Sequence, residues 1–231
     1  MPMVRPMEME IVVPDEVPVM TLPNLAFFPQ ALLPLRIFEP RYKEMLRDVL
    51  ATNRLFAVAG LDSREDTAQF EPLYRIATIG IVRACQGNED GTFNLLLQGL
   101  ARVEVKGIVN EQPYRSIHIK ALTSQPGAGE DENRRLRTSL ARLISTKQRL
   151  GGTVSGEFTR FLKTVEDPEI FSDLAAFSIC EDSRLKQKLL ETLDVHKRLE
   201  LLNRHLRLEV ESLKLRKKLQ GDLPDNRIVS N

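Results

Sequence analysis

The chain has 231 residues, enough for one large domain or two modest ones with a useful core. Its 33 basic and 32 acidic residues nearly cancel, so any affinity for polyanions must come from a local patch. A secretory core behind a basic start and a bilayer-length apolar run are both missing, and the two cysteines, Cys85 and Cys180, read as reduced thiols in preference to one disulfide, which together predict a cytoplasmic protein.

Residues 1–16 read as a flexible lead-in, broken by Pro2, Pro6 and Pro14. Val17–Pro23 is the first predicted strand and Ala31–Phe38 the second, where Pro34 demands a sheet edge or a bulge. Leu33, Leu35 and Ile37 are expected to face the core. Pro40 suits the first turn of a helix in which Met45, Leu46, Val49 and Leu50 recur at helical spacing, and Asn53 suits its stop. Glu39 and Arg41 read as a pair around that helix start, with Tyr42 packing on the strands.

Arg54–Asp62 is a short buried strand, followed by a polar loop over 63–72. Four strands are then predicted: Arg75–Gln86, Thr92–Leu100, Ala101–Val109 and Tyr114–Leu122. Gly87–Gly91 forms a hairpin turn between the first two, and Gly99 marks a bend. Short, mostly antiparallel strands with one helix predict a small barrel over 17–125.

Thr123–Asn133 reads as a hinge, with Asp131 or Asn133 capping the next helix. The period then changes from two to 3.6 and predicts a helical bundle over 126–219, with helices near 131–150, 155–166, 168–179, 183–192 and 194–219. Asp167 with Pro168 starts the third, and Asp194 caps the last. The last helix carries Leu199, Leu202, Leu206, Val210 and Leu213 on one stripe, widened by Leu201 and Leu208. That stripe reads first as packing on the other helices and second as a contact with another copy. Residues 220–231 read as a disordered tail.

The chemical motifs are mostly absent. Gly151–Phe158 has the glycine spacing of a phosphate loop, but Glu157 stands where lysine must be. His196 and His205 are nine residues apart, so they cannot share a metal on one helix. His118 alternates with Ile117 and Ile119 and should face solvent. Catalytic residues, cofactors and metal ligands are therefore all assigned as none. Residues 1–125 carry 13 basic and 15 acidic groups, whereas 184–219 carry 11 and 5. That excess reads first as a solvated helix face near the negative end of the helix dipole and second as a nucleic-acid contact, although no aromatics are interleaved for stacking.

Three stretches resemble one family. "PVMTLPNLAFFPQALLPLRIFEPRYKEML" resembles the start of the N-terminal substrate-binding domain of Lon proteases, with "IFEPRY" most like free-standing members. "RIATIGIVRACQGNEDGTFNLLLQGLARVEV" matches the family pattern through Gly80, Asp90, Gly91, Gly99 and Arg102, and "KQKLLETLDVHKRLELLNRHLRLEVESLKLRKKL" resembles its closing helices. Gln30 stands where the family usually has glycine.

The resemblance implies an α+β chain: a barrel of pseudouridine-synthase-and-archaeosine-transglycosylase (PUA-like) topology, then a helical bundle with a long C-terminal helix. It implies a non-enzymatic module, without the ATPase and peptidase of full-length Lon, that binds exposed apolar or extended segments of client proteins and works with a separate protease or ATPase. An RNA-binding module, or a scaffold self-associating through the last helix, is the alternative. The candidate peptide-binding residues are Phe27, Phe28, Pro29 and Phe38. The two phenylalanines sit in an irregular loop where both are not expected to turn inward.

Overall fold

The computed structural model describes residues 13–62 and 72–220. Most of the lead-in, nearly all of the 63–72 loop and the tail after Gln220 lie outside the described residues. The described end of the lead-in is tied down: Val13 packs on a core cluster, and the Asp15 carbonyl accepts from the Ile119 N–H at 2.8 Å.

Six strands and six helices are arranged in the order β1 (Glu16–Leu22), β2 (Leu32–Ile37), α1 (Pro40–Ala51), β3 (Leu55–Gly60), β4 (Ile76–Gly87), β5 (Phe93–Asn110), β6 (Ser116–Ala121), α2 (Glu130–Arg149), α3 (Gly156–Thr164), α4 (Pro168–Ile179), α5 (Ser183–Glu191) and α6 (Val195–Gln220). The chain is α+β, with a mixed sheet ahead of five of its helices.

The sheet runs β2-β5-β4-β3-β1-β6, and β6 also pairs with β5. The pairings therefore run in a ring through β1, β3, β4, β5 and β6, with β2 attached outside it. Only β1 and β3 are parallel. The two strands expected over 92–109 are one 18-residue strand. Gly80 pairs with Gly99 while Ile79 pairs with Ala101, so Leu100 is an extra residue, and the bend expected at Gly99 is a bulge within β5. The first half of β5 carries β2 and its second half carries β6.

Alternation along β3 splits its side chains between two cores. Leu55, Ala57 and Ala59 join Val17, Val19, Ile79, Val103, Ile117 and Ile119 in a cluster formed by the strands. Phe56 and Val58 point the other way, into a larger cluster that continues through Phe27, Leu97 and Met45 to Phe171, Leu190 and Leu199. One apolar core thus spans both halves of the chain.

The hinge expected over 123–133 is clamped. Gln125 N–H donates to the Leu193 carbonyl at 2.9 Å, and Val195 N–H donates back to Gln125 at 2.8 Å. Gly127 takes φ +74°, and a Cβ there would overlap the Asp194 carboxylate. The expected cap of α2 also differs. Its N-cap is Gly129, while Asn133 turns inward to the Pro126 carbonyl and to His196 Nδ1, both at 2.9 Å. Asp167 and Asp194 do cap α4 and α6, accepting from Ile170 N–H at 2.8 Å and Lys197 N–H at 2.9 Å. Helix α1 ends with the Arg54 N–H returning to Val49; Arg54, not Asn53, takes the left-handed conformation.

Helices α2 and α6 run side by side in the same direction. Asn133 meets His196, Ser139 meets Asn203, and Lys147 meets Glu209.

Candidate functional site

The segment from Ala26 to Phe38 sets an open sheet edge that an apolar face accompanies. Strand β2 pairs with β5 alone. Gly99 N–H donates to the Ala31 carbonyl at 2.9 Å. By alternation, Leu33, Leu35 and Ile37 turn their backbone groups to β5, and Leu32, Pro34 and Arg36 turn theirs to the open edge. Pro34 has no N–H to offer, so its position costs no ladder bond. The edge presents the N–H groups of Leu32 and Arg36 and three carbonyls.

Side chains alternate as well. Leu33 and Ile37 are buried, whereas Leu32 is 51% exposed, Phe38 is 63% exposed, and Pro34 and Arg36 are exposed between them. Arg36 is held sideways by Asp90 in the β4–β5 turn at 2.6 Å. The Asp90 carboxyl lies below its usual range, first because the Thr92 hydroxyl and N–H donate to it and then because of Arg36. The outward face of β2 is therefore an apolar strip interrupted by one neutralised cation.

The structure places the four residues expected to bind peptide in two environments. Phe38 is on the outward face and Pro29 is half-buried at the turn leading to it. Phe27 and Phe28 are 1% and 0% exposed, which corrects the expectation that one would remain outside. Phe27 meets Phe177 of α4 edge-on, with centroids 6.0 Å apart, and its carbonyl accepts from the Thr78 hydroxyl at 2.5 Å. Phe28 lies under the Arg102 guanidinium, 5.8 Å from the ring centroid. Both can turn inward because the turn is tight. Gln30 takes φ +63° and donates its N–H to the Gly99 carbonyl at 2.9 Å. A Cβ at Gly99 would overlap the Phe28 carbonyl.

The residues missed by the sequence reading are Leu32 and Pro34. Their signal was present: if Leu33, Leu35 and Ile37 face the core, period two puts 32, 34, 36 and 38 outside.

Cys85 and Cys180 are free thiols, and burial pushes both above the usual thiol range. Among the described residues no cluster of His, Cys, Asp and Glu could hold a metal ion, and no helix is long and apolar enough to cross a membrane. The residues that carried the resemblance hold the fold together. Gly80 admits the Leu97 side chain, Gly91 takes φ +71° in the β4–β5 turn, and Arg102 is paired with Asp173.

Residues 16–207 match the profile of the ATP-dependent protease La (LON) substrate-binding domain. The chain belongs to the Lon substrate-binding domain family. It is 26% identical over 215 residues to the Lon protease of Desulfosudis oleivorans, covering 92% of this chain and 26% of that protein. It is 27% identical over 209 residues to Lon protease 2 of Myxococcus xanthus, covering 90% and 25%. The chain thus spans about a quarter of the length of these relatives.

Its fold is similar to the Lon N-terminal domain protein of Xanthomonas campestris (TM-score 0.59, 20% identity, 81% of this chain and 96% of that one). It is also similar to the N-terminal domain of a Lon protease from the Mycobacterium avium complex (TM-score 0.63, 17% identity, 83% and 98%). The family match covers the substrate-binding domain alone, and membership of this family supports a substrate-binding role.

Proposed function

We propose that this chain is a non-enzymatic protein-binding module that recognises exposed apolar or extended segments of client proteins, as part of protein quality control in the cytoplasm. The observation that carries the reading is the pairing of an open β2 edge with an outward apolar strip of Leu32, Pro34 and Phe38. An extended client adds its backbone to the edge and lays alternate side chains on the strip. The site contracts from the four residues expected in sequence to Phe38, Leu32 and Pro34, with Pro29 at its margin.

Family membership supports the same reading and points to a separate protease or ATPase as the acceptor of the client. The ring of strand pairings supports a PUA-like barrel. RNA binding is less well supported, because residues 1–125 carry a net charge of −2, and phosphate contact needs cations.

The test is a titration with a permanently unfolded model protein. Replacing Leu32 and Phe38 together with serine weakens binding by about tenfold or more, since each apolar anchor is worth on the order of 1 kcal/mol. The melting curve stays in place because both side chains are already exposed. Unchanged affinity in the double variant removes the proposed site.

A further inference from the structure

The bond from Gly99 N–H to the Ala31 carbonyl fixes the phase of β2, so Leu33, Leu35 and Ile37 bond to β5. Leu32 and Arg36 each turn an N–H and a carbonyl to the open edge, and Pro34 between them turns only a carbonyl. The edge therefore has acceptors at all three positions and a donor missing in the middle. The side chains of the same three residues lie on the exposed face.

On the reading of β2 as the client edge, we propose that it takes a client segment antiparallel and that Pro34 sets which client residues fit. One face of β2 is open to solvent, a setting typical of antiparallel pairs, whereas parallel pairs are covered on both faces. Consider five client residues in line, with the first opposite Arg36, the third opposite Pro34 and the fifth opposite Leu32. In antiparallel pairing, residues directly opposite share a face of the sheet. The first, third and fifth residues thus do two things at once. Their N–H groups donate to the three β2 carbonyls, and their side chains lie on the strip.

The third and fifth, beside Pro34 and Leu32, are apolar. The first lies beside Arg36, which Asp90 already neutralises, so no charge is required there. The second and fourth turn their backbone groups away from β2. Proline is therefore admitted at the second and fourth positions and excluded from the other three. The third residue's carbonyl finds no donor, so a client is held one bond short of full strand addition. A second copy of β2 brings its own Pro34 and loses two bonds, so the edge favours a foreign chain over self-pairing.

The test is fluorescence anisotropy with the full chain and three labelled peptides of alternating leucine and threonine. One is unmodified, one carries N-methyl groups on its leucines, and one carries them on its threonines. N-methylation removes the donor and keeps the side chain. Methylated leucines weaken binding by about tenfold or more, and methylated threonines leave it unchanged. The opposite order means a parallel client and overturns the proposal while leaving β2 as the client edge. Equal binding of all three overturns it too, because the backbone is then not read. If Leu32→Ser with Phe38→Ser binds the unmodified peptide as wild type does, the reading of the client edge itself fails. Pro34→Val supplies the missing N–H and tightens the unmodified peptide by about threefold to tenfold, with circular dichroism reporting the fold. A folded Pro34→Val variant with unchanged affinity removes the role given to Pro34.

Discussion

Arg102 of β5 and Asp173 of α4 form a two-pronged buried ion pair, with nitrogen–oxygen distances of 2.6 and 2.8 Å. Arg198 of α6 shares the same carboxylate at 2.7 Å. The other donors are used too: Arg102 reaches the Leu190 carbonyl, and Arg198 reaches the Thr192 carbonyl and Ser124 hydroxyl, each at 3.0 Å. Burial pulls the Arg198 guanidinium below its usual range, and Asp173 pushes back. One carboxylate thus ties the sheet to two helices and takes the short bonds of two buried guanidiniums, with the Glu169 carboxylate 3.6 and 3.8 Å away as the second anion.

Asp173→Ala is expected to destabilise the chain by about 3–5 kcal/mol, because it leaves two buried cations with only the more distant, half-exposed Glu169 carboxylate. Denaturant unfolding followed by circular dichroism measures this. A loss under about 1 kcal/mol would mean that water or Glu169 replaces the missing carboxylate.

The tight turn before β2 makes two opposite predictions. Gly99→Ala must displace the Phe28 carbonyl and with it a buried ring, so it costs about 2 kcal/mol or more. Gln30→Gly removes a side chain from a left-handed position and gains up to about 1 kcal/mol. Melting curves of the two variants should move in opposite directions.

Tyr114 gives a prediction at high pH. Its hydroxyl donates to Asp48 at 2.8 Å, and burial first, then that carboxylate, push its pKa up to about 12. A raised folded value means that the neutral phenol favours the folded state. Its contribution is fully present below the ordinary value near 10 and is lost as pH rises towards 12. Phenolate absorbance should show one tyrosine ionising late, and Tyr114→Phe should abolish that late step.

Local chemistry wrote much of this fold into the sequence. Pro40, Asp167 with Pro168, and Asp194 announce helix starts because capping and proline act within one turn. Pro34 announces a sheet edge or a bulge because a missing N–H costs no ladder bond there, and the edge is what forms.

What stayed hidden depends on residues far apart in the chain. Phe27 and Phe28 turn inward only because Gly99, some seventy residues on, admits their backbone. Gln30 hid it further, since a non-glycine residue gives no sign of a left-handed turn. The 123–133 segment looked loose because its clamp, Leu193 to Val195, comes long after it. Leu208, expected to widen the inner stripe of α6 and instead 62% exposed, is different: it lies two residues from Leu206, about 200° round the helix, so its outward position was legible locally.

Hydrogen exchange along β2, with and without a saturating unfolded client, tests the central proposal most directly. The amides of Leu32 and Arg36, which face the open edge, should exchange markedly more slowly when the client is present. Protection elsewhere on the surface, with both of those amides exchanging as fast as in the free chain, would contradict the account.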